Sequence, residues 1–218
     1  MDKYRAIIFD VGNVIVNISG DNVFEYWATV SKRDADVIKQ KFEIDDIYHQ
    51  FEKGDLEPAL YRKYILEKIG LRMSDDEFDN GWNNIYADVV PGVEQLLQDL
   101  KSEFRLTALT NTNVIHAKKW KTKYASVLKY FEKVFCSHEI KTRKPERNAY
   151  DIVLTYLQMD PNVVVYLDDI PEYVKAATDI GIKSILVTSS EQMVGELNKL
   201  GITVNYKQCN SKYWVLKT

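Results

Sequence analysis

Five short apolar segments recur along the chain, each with the length and the aliphatic content of a buried strand. They are RAIIFD (5–10), FRLTALT (104–110), EKVFCS (132–137), VVVYLDD (163–169) and KSILVTS (183–189). Apolar runs without polar alternation are typical of parallel strands that are covered on both faces. The pattern therefore predicts five strands of one parallel sheet, each buried on both faces.

Helical periodicity separates the later strands. Apolar residues recur at helical spacing over 93–101, 149–157 and 173–180, and Gly181 follows the last segment as a stop signal. Strands that alternate with helices predict an α/β fold, here a Rossmann-like parallel sheet with helices on both faces.

The stretch between the first two strands interrupts this alternation. It spans roughly ninety residues, far more than a loop of about 4–6 residues. Five amphipathic segments lie within it, at 22–30, 34–42, 47–54, 58–70 and 76–89, and Ser74 and Asp75 offer an N-cap before the last of them. We predict that residues 18–88 form an inserted helical cap and that residues 1–17 and 89–218 form the core. The final segment, 202–218, alternates as a small β-ribbon would.

Composition limits the kinds of function that the chain can have. Its 218 residues are 45% hydrophobic, which is enough for one domain with a sizeable core. The net charge of -3, from 29 basic and 32 acidic residues, provides no broad basic surface for nucleic acid. The two cysteines, Cys136 and Cys209, cannot build a disulfide framework, and no apolar run reaches the length of a membrane span or a signal peptide. We expect a cytoplasmic protein that acts on a small molecule.

Polar residues follow three of the predicted strands, and a lysine lies in a loop between them. Because the carboxyl ends of parallel strands meet at one edge of a sheet, ligands collect there. The residues concerned are Asp10, Thr110, Asn111, Lys144, Asp168 and Asp169.

Three carboxylates at one edge would repel each other unless a cation were bound. A ligand set made only of oxygens favours Mg²⁺. The Lys144 ammonium and the Thr110 hydroxyl are suited to anionic oxygens, so the set predicts a phosphate beside a metal ion.

Each residue also has an ordinary structural interpretation. Asp10 can be a strand-end turn residue, Lys144 a solvated loop residue, and the pair Asp168 and Asp169 a cap of the following helix. Thr110 and Asn111 are common turn formers. The coincidence of all of them at strand ends, in this chain order, favours the functional interpretation.

The quoted segments resemble the four motifs of the haloacid dehalogenase superfamily, whose members are mostly magnesium-dependent phosphatases. The first is IIFDVGNVIV, the second LTALTNTN, the third the lysine of KTRKPE, and the fourth VVVYLDDIPEYVKAA. The insertion is similar to the helical cap of the first class in that superfamily. The phrases FDVGNVIV and YHQFEKGDL are also similar to a subgroup of bacterial sugar-phosphate phosphatases that includes an α-glucose-1-phosphate phosphatase.

The resemblance implies a role for each matched residue. Asp10 would be the nucleophile that forms an aspartyl-phosphate, with Thr110 and Lys144 completing the catalytic set. Magnesium would be held by the carboxylates of Asp10, Asp168 and Asp169 and by the backbone carbonyl of Gly12. The phosphate would be bound by Val11, Gly12, Thr110, Asn111 and Lys144.

Gly12 departs from the superfamily pattern. Most of its phosphatases have, two residues after the nucleophile, an aspartate that protonates the leaving alcohol, and such general acid catalysis is worth about 10²- to 10⁴-fold. Three features can offset its loss: an acidic leaving group such as an anomeric sugar oxygen, a proton donor from the cap such as His49, or water. We favour the first. A structural role beside Tyr48 and Phe51 is the favoured interpretation of His49, and packing is the main interpretation of His116, Trp27 and Trp82.

The sequence therefore predicts magnesium-dependent hydrolysis of a small phosphomonoester, a sugar phosphate such as an aldose 1-phosphate. Two alternatives stay open: a 2-haloacid dehalogenase-type hydrolase, and a low-activity relative that binds phosphorylated ligands. The expected partner is a small phosphorylated metabolite, with no nucleic acid and no membrane. The expected assembly is a monomer or homodimer.

Overall fold

The computed structural model describes residues 3–204. The strands are β1 (Ala6–Phe9), β2 (Val16–Ile18), β3 (Tyr86–Val89), β4 (Arg105–Thr110), β5 (Lys133–Cys136), β6 (Val164–Asp168) and β7 (Lys183–Leu186). The helices of the inserted segment are α1 (Asp21–Ser31), α2 (Ala35–Lys41), α3 (Asp46–Glu52), α4 (Pro58–Ile69) and α5 (Asp75–Asn83). The later helices are α6 (Val93–Lys101), α7 (Val114–Lys123), α8 (Ala125–Leu128), α9 (Ser137–Ile140), α10 (Arg147–Leu157), α11 (Pro171–Asp179) and α12 (Ser190–Lys199).

The main sheet has the order β5-β4-β1-β6-β7, and its strand pairs are all parallel. The five predicted strands are thereby confirmed. Phe9 pairs with Ala108 on one side and with Leu167 on the other, so the residues that follow β1, β4 and β6 emerge side by side. This register places Asp10 between the ends of two neighbouring strands.

Burial on both faces holds along the central strands, but the two edge strands begin with exposed residues. All residues of β1 and β6 are buried, whereas Lys133 of β5 and Lys183 of β7 are exposed. Leu186, at the end of β7, is 37% exposed. The prediction is therefore wrong for β7, whereas β5 ends in Phe135 and Cys136, which are buried on opposite faces of the sheet.

Two apolar layers cover the sheet, one on each face. Ile7 and Phe9 face the layer formed with α6, α7 and α12, while Ala6 and Ile8 face the layer formed with α10 and α11. The helices predicted at 93–101, 149–157 and 173–180 are confirmed, and Gly181 follows the last with a φ of 93°. A residue with a side chain would be strained at that angle. The α/β prediction with helices on both faces is confirmed.

The five helices between β2 and β3 enclose a core of their own. Its centre is aromatic: Trp27 stacks on Trp82 with ring centres 5.8 Å apart, and Phe51 stacks on Tyr61 at 4.0 Å. Both tryptophans are buried, as the packing interpretation predicted. Ser74 caps α5 in a reciprocal capping box with Glu77, which stabilises the start of the helix.

The segment 76–89 is not one helical unit, which corrects the sequence prediction. Helix α5 ends at Asn83, and Tyr86–Val89 forms β3, which pairs antiparallel with β2. This two-stranded ribbon carries both chain crossings between the helical insertion and the sheet. The cap boundaries at 18 and 88 fall within it and stay a prediction.

The predicted C-terminal β-ribbon lies almost entirely outside the described residues, which end at 204. Among residues 3–204, no helix has the length and apolarity needed to cross a membrane.

Candidate active site

Three neighbouring strands bring the predicted residues to one edge of the sheet. Asp10 follows β1, Thr110 ends β4 and Asp168 ends β6. The carboxylates of Asp10, Asp168 and Asp169 each offer an oxygen, and these oxygens lie within 4.8 Å of one another. The convergence expected from the topology is therefore present in the structure.

Lys144 reaches into this cluster from the loop before α10. Its Nζ lies 2.6 Å from Asp10 Oδ1 and 2.6 Å from Asp168 Oδ2, and its side chain is 1% exposed. The hydroxyl of Tyr166, two residues earlier on β6, donates to Asp168 Oδ2. The alternative that Lys144 is a solvated loop residue is wrong.

Asn111 fixes the backbone of that loop. Its Oδ1 accepts from the backbone N–H of Lys144 at 2.9 Å, and its Nδ2 donates to the Lys144 carbonyl at 2.9 Å. This two-point contact holds Lys144 against the end of β4. The sequence predicted Asn111 as a phosphate ligand, and the structure shows its side chain in this supporting contact.

Asp168, at the end of β6, and Asp169, which follows it, have different hydrogen-bond partners, and neither caps α11. Asp168 Oδ1 accepts from the N–H of Ile170 at 2.8 Å, but Ile170 is itself the N-cap residue and makes no side-chain cap bond. Asp169 Oδ2 accepts from Asn13 Nδ2 at 2.9 Å. Asn13 has a φ of 53°, and its Oδ1 accepts from the N–H of Ile18. Sequence reasoning missed Asn13.

The charges of the cluster do not balance. Burial, together with the charges of Asp168 and Asp169, raises the pKa of Asp10 to about 7 against the opposing effect of Lys144. Burial also raises the pKa of Asp169, and the Asn13 amide opposes this. For Lys144, burial lowers the pKa, but Asp10 and Asp168 outweigh it, so the lysine stays cationic.

A divalent cation fits this donor set. Three carboxylates face a single ammonium, and the hard oxygen donors are those that Mg²⁺ prefers. Bound Mg²⁺ would offset the negative charge that burial leaves uncompensated at this edge.

Gly12 lies beside the Asp10 carboxylate. A Cβ placed at Gly12 would be 3.7 Å from Asp10 Oδ2 and 3.1 Å from Ile18 Cδ1. The second contact is tight, but it involves the end of a flexible side chain. A Cβ at position 12 therefore fits after a small shift of the Ile18 side chain. Val11 is buried, and its carbonyl accepts from the N–H groups of Ile15 and Val16.

His49 is half-buried on α3, where its ring meets that of Tyr48 edge to face. Burial lowers its pKa, and the charge of Arg143 lowers it further. Both effects disfavour the imidazolium that a general acid requires. The structural interpretation of His49 therefore has the better support.

His116 is buried where the helical insertion meets α7. It stacks on Trp82, its Nε2 lies 3.1 Å from the Trp82 carbonyl oxygen, and its Nδ1 lies 3.2 Å from Asn113 Nδ2. The packing interpretation is confirmed. Burial lowers the pKa of His116 to about 3, although the Trp82 carbonyl opposes the shift.

This shift predicts an acid-sensitive contribution to stability. Between about pH 6.5 and pH 3, His116 is protonated in the unfolded chain but neutral in the folded protein. The free energy of unfolding therefore falls as the pH is lowered. Between pH 7 and pH 5 the wild type should lose about 2 kcal/mol more than His116→Gln. Urea unfolding at pH 7 and pH 5 measures these losses. Equal losses of the free energy of unfolding in the wild type and in His116→Gln would show that His116 is not the group responsible.

Comparison with known proteins places this geometry in context. Residues 4–181 match the family described as haloacid dehalogenase-like hydrolase. The D-ribitol-5-phosphate phosphatase of Bacteroides thetaiotaomicron is 22% identical over 186 residues, which cover 83% of this chain and 90% of that protein.

Solved structures of a haloacid dehalogenase family enzyme from the same organism are also similar. A magnesium complex has a TM-score of 0.78 and 30% identity, covering 90% of this chain and 99% of that one. A complex with magnesium and inorganic phosphate has a TM-score of 0.74 and 29% identity, with coverages of 86% and 96%.

Proposed function

This chain belongs to the haloacid dehalogenase-like hydrolases, as a phosphatase of that superfamily, and we propose that it hydrolyses a small phosphomonoester with magnesium. One observation carries the proposal. The carboxylates of Asp10, Asp168 and Asp169 converge within 4.8 Å, and Lys144 bridges two of them. Such a cluster suits a phosphate and a metal ion together. Residues 18–88 are proposed as the cap and the remainder as the core.

Asp10 is the proposed nucleophile. Its carboxylate oxygen attacks phosphorus, the bond from phosphorus to the ester oxygen breaks, and the leaving alkoxide takes a proton from water. Water then attacks the phosphorus of the aspartyl-phosphate, which releases inorganic phosphate and restores the carboxylate. Covalent catalysis of this kind splits one difficult displacement into two easier ones.

The other residues would hold the charges of the reaction. Asp10, Asp168, Asp169 and the carbonyl of Gly12 would hold Mg²⁺, which when bound offsets the negative charge of phosphate and carboxylates. Lys144, the Thr110 hydroxyl and the backbone amides of Val11, Gly12 and Asn111 would bind the non-bridging phosphate oxygens.

The proposed substrate is a sugar or polyol phosphate. This is supported by the name of the D-ribitol-5-phosphate phosphatase and by that of a phosphorylated carbohydrates phosphatase from Thermotoga maritima, which is 30% identical over 130 residues. The narrower expectation of an aldose 1-phosphate stays a prediction. A dehalogenase has less support because Asp168 and Asp169, without a cation, would repel an anionic nucleophile. The cytoplasm is the proposed location.

Magnesium should be needed for activity and should stabilise the fold. p-Nitrophenyl phosphate should be cleaved with Mg²⁺ and not with excess chelator. Mg²⁺ at 100 times its Kd should add about 2.7 kcal/mol to the free energy of unfolding. Asp169→Asn should remove most of this gain, whereas Asp179→Asn, at an exposed pair with Lys175, should keep it. Chelator-resistant activity, or equal stabilisation of both variants, would contradict the proposal.

Gly12→Asp should restore a general acid. The Cβ of the new residue is accommodated beside Asp10 Oδ2 once the Ile18 side chain moves slightly. Turnover of propyl phosphate should rise by about 10²-fold or more, because its alkoxide needs a proton to leave. Turnover of an aldose 1-phosphate should rise less. Gly12→Asn has the same shape without the acidic proton and serves as the control; equal gains on both esters would contradict the leaving-group argument.

A further inference from the structure

The helical insertion meets the sheet domain in a buried ion pair next to Lys144. Glu52, the last residue of α3, accepts from Arg143 Nε through its Oε2 at 2.9 Å. The side chain of Glu52 is 6% exposed and that of Arg143 is 13% exposed. Removing two charges from water costs free energy that their attraction does not always recover, so such a pair is weak evidence for stability alone. A role in ligand binding would account for its position.

Arg143 is placed between the insertion and the phosphate-binding residues. It directly precedes Lys144 in the chain, and its Nη2 donates to the Tyr173 hydroxyl at 3.3 Å. The same hydroxyl oxygen accepts from Asn111 Nδ2 at 3.2 Å. Lys144 Nζ lies 5.0 Å from the centre of the Tyr173 ring. Arg143 and Lys144 therefore both neighbour Tyr173, one at its hydroxyl and the other at its ring.

The guanidinium keeps hydrogen-bonding capacity for a ligand. It has five N–H donors, and its bonds to Glu52 and Tyr173 use only two of them within the described residues. The contact with Glu52 fixes the guanidinium plane, so little side-chain freedom is lost when a ligand binds.

The charge of the pair selects the type of ligand group. Glu52 cancels the charge of Arg143, so the pair does not attract a second anionic group. Burial raises the pKa of Glu52, and the Arg143 charge and the Tyr48 hydroxyl oppose this rise. The Tyr173 hydroxyl accepts from Arg143. Together they form a neutral array of donors and acceptors, which is suited to alcohol hydroxyl groups.

We propose that Arg143, held by Glu52, is a specificity-determining residue that binds a hydroxyl group of the leaving alcohol. The substrate is then the phosphate ester of a polyhydroxylated alcohol. This inference rests on the proposed phosphatase function, because it concerns the group that leaves from phosphorus.

Two esters with the same carbon chain test the inference. Glycerol 1-phosphate carries two hydroxyl groups that propyl phosphate lacks, and wild-type kcat/KM should favour it by about tenfold or more. Arg143→Met should lose at least about tenfold more on glycerol 1-phosphate than on propyl phosphate. The double variant Glu52→Gln/Arg143→Met removes both charges, avoids an unpaired buried carboxylate, and should show the same loss of preference.

The control is a second ion pair of the insertion. Arg62 pairs with Asp79 at 2.7 Å between α4 and α5, so Arg62→Met/Asp79→Asn changes a comparable contact away from Lys144. It should keep the wild-type preference.

Three outcomes would overturn the inference. The first is a wild type that does not prefer glycerol 1-phosphate over propyl phosphate. The second is an equal loss of kcat/KM on both esters in the Arg143 variants, which is expected of a contact that only closes the cap. In both cases cleavage of p-nitrophenyl phosphate would leave the proposed function standing. A wild type that cleaves no phosphate ester would instead remove the proposed function, and the inference with it.

Discussion

Asp10→Asn should reduce kcat/KM for phosphate release by at least about 10⁴-fold, because an amide cannot serve as the nucleophile that forms an acyl phosphate. The side chain keeps its shape and can still accept from Lys144 Nζ, so the variant should fold. Release of p-nitrophenol in the presence of Mg²⁺ measures the loss, and circular dichroism verifies the fold.

The control for this variant is Asp179→Asn, which makes the same chemical change on the exposed surface of α11. It should retain wild-type activity. If Asp10→Asn kept activity within tenfold of the wild type, the covalent mechanism would be excluded. This would hold even if chelator abolished the activity.

Lys144→Met should destabilise the metal-free protein by about 3–5 kcal/mol. The lysine is the cation that bridges Asp10 and Asp168, and its loss leaves two buried carboxylates without their partner. Urea unfolding in the presence of chelator measures the change. Added Mg²⁺ should recover more stability in the variant than it adds to the wild type, because it compensates the same carboxylates.

The matched control is Lys175→Met, which removes an exposed lysine from an ion pair of the same length, 2.6 Å, with Asp179. Exposed pairs are worth about 0–1 kcal/mol, so this variant should unfold close to the wild type. If Lys144→Met were equally mild, the buried bridge would not have the energetic role assigned to it here.

The fold and the centre of the site were predictable from the sequence for one reason. Parallel strands end at the same edge, so residues that follow apolar runs converge even when they are far apart in the chain. Asp10 and Asp168 meet in this way because β1 lies beside β6, and Lys144 reaches them from the loop before α10. Tyr166 had a usable signal, because it lies two residues before Asp168 and therefore on the same face of β6.

The remaining contacts depend on side-chain directions that no periodicity encodes. Glu52 and Arg143 are 91 residues apart, and they meet only because the insertion packs beside the loop of Lys144. Asn13 reaches Asp169 from a left-handed backbone position that the motif itself does not reveal. The ribbon of β2 and β3 escaped prediction because its short strands, VNI and YADV, contain polar residues and lack an unbroken apolar run. Such short strands form through pairing, not through their own propensity.

The most direct test of the central claim is to locate the phosphoryl group during turnover. Protein mixed with Mg²⁺ and p-nitrophenyl phosphate is quenched in acid within one turnover, digested, and mapped by mass spectrometry. The account predicts a hydroxylamine-sensitive phosphoryl adduct on Asp10, absent in the chelated sample. An adduct on a different residue, or turnover without any adduct at Asp10, would contradict it.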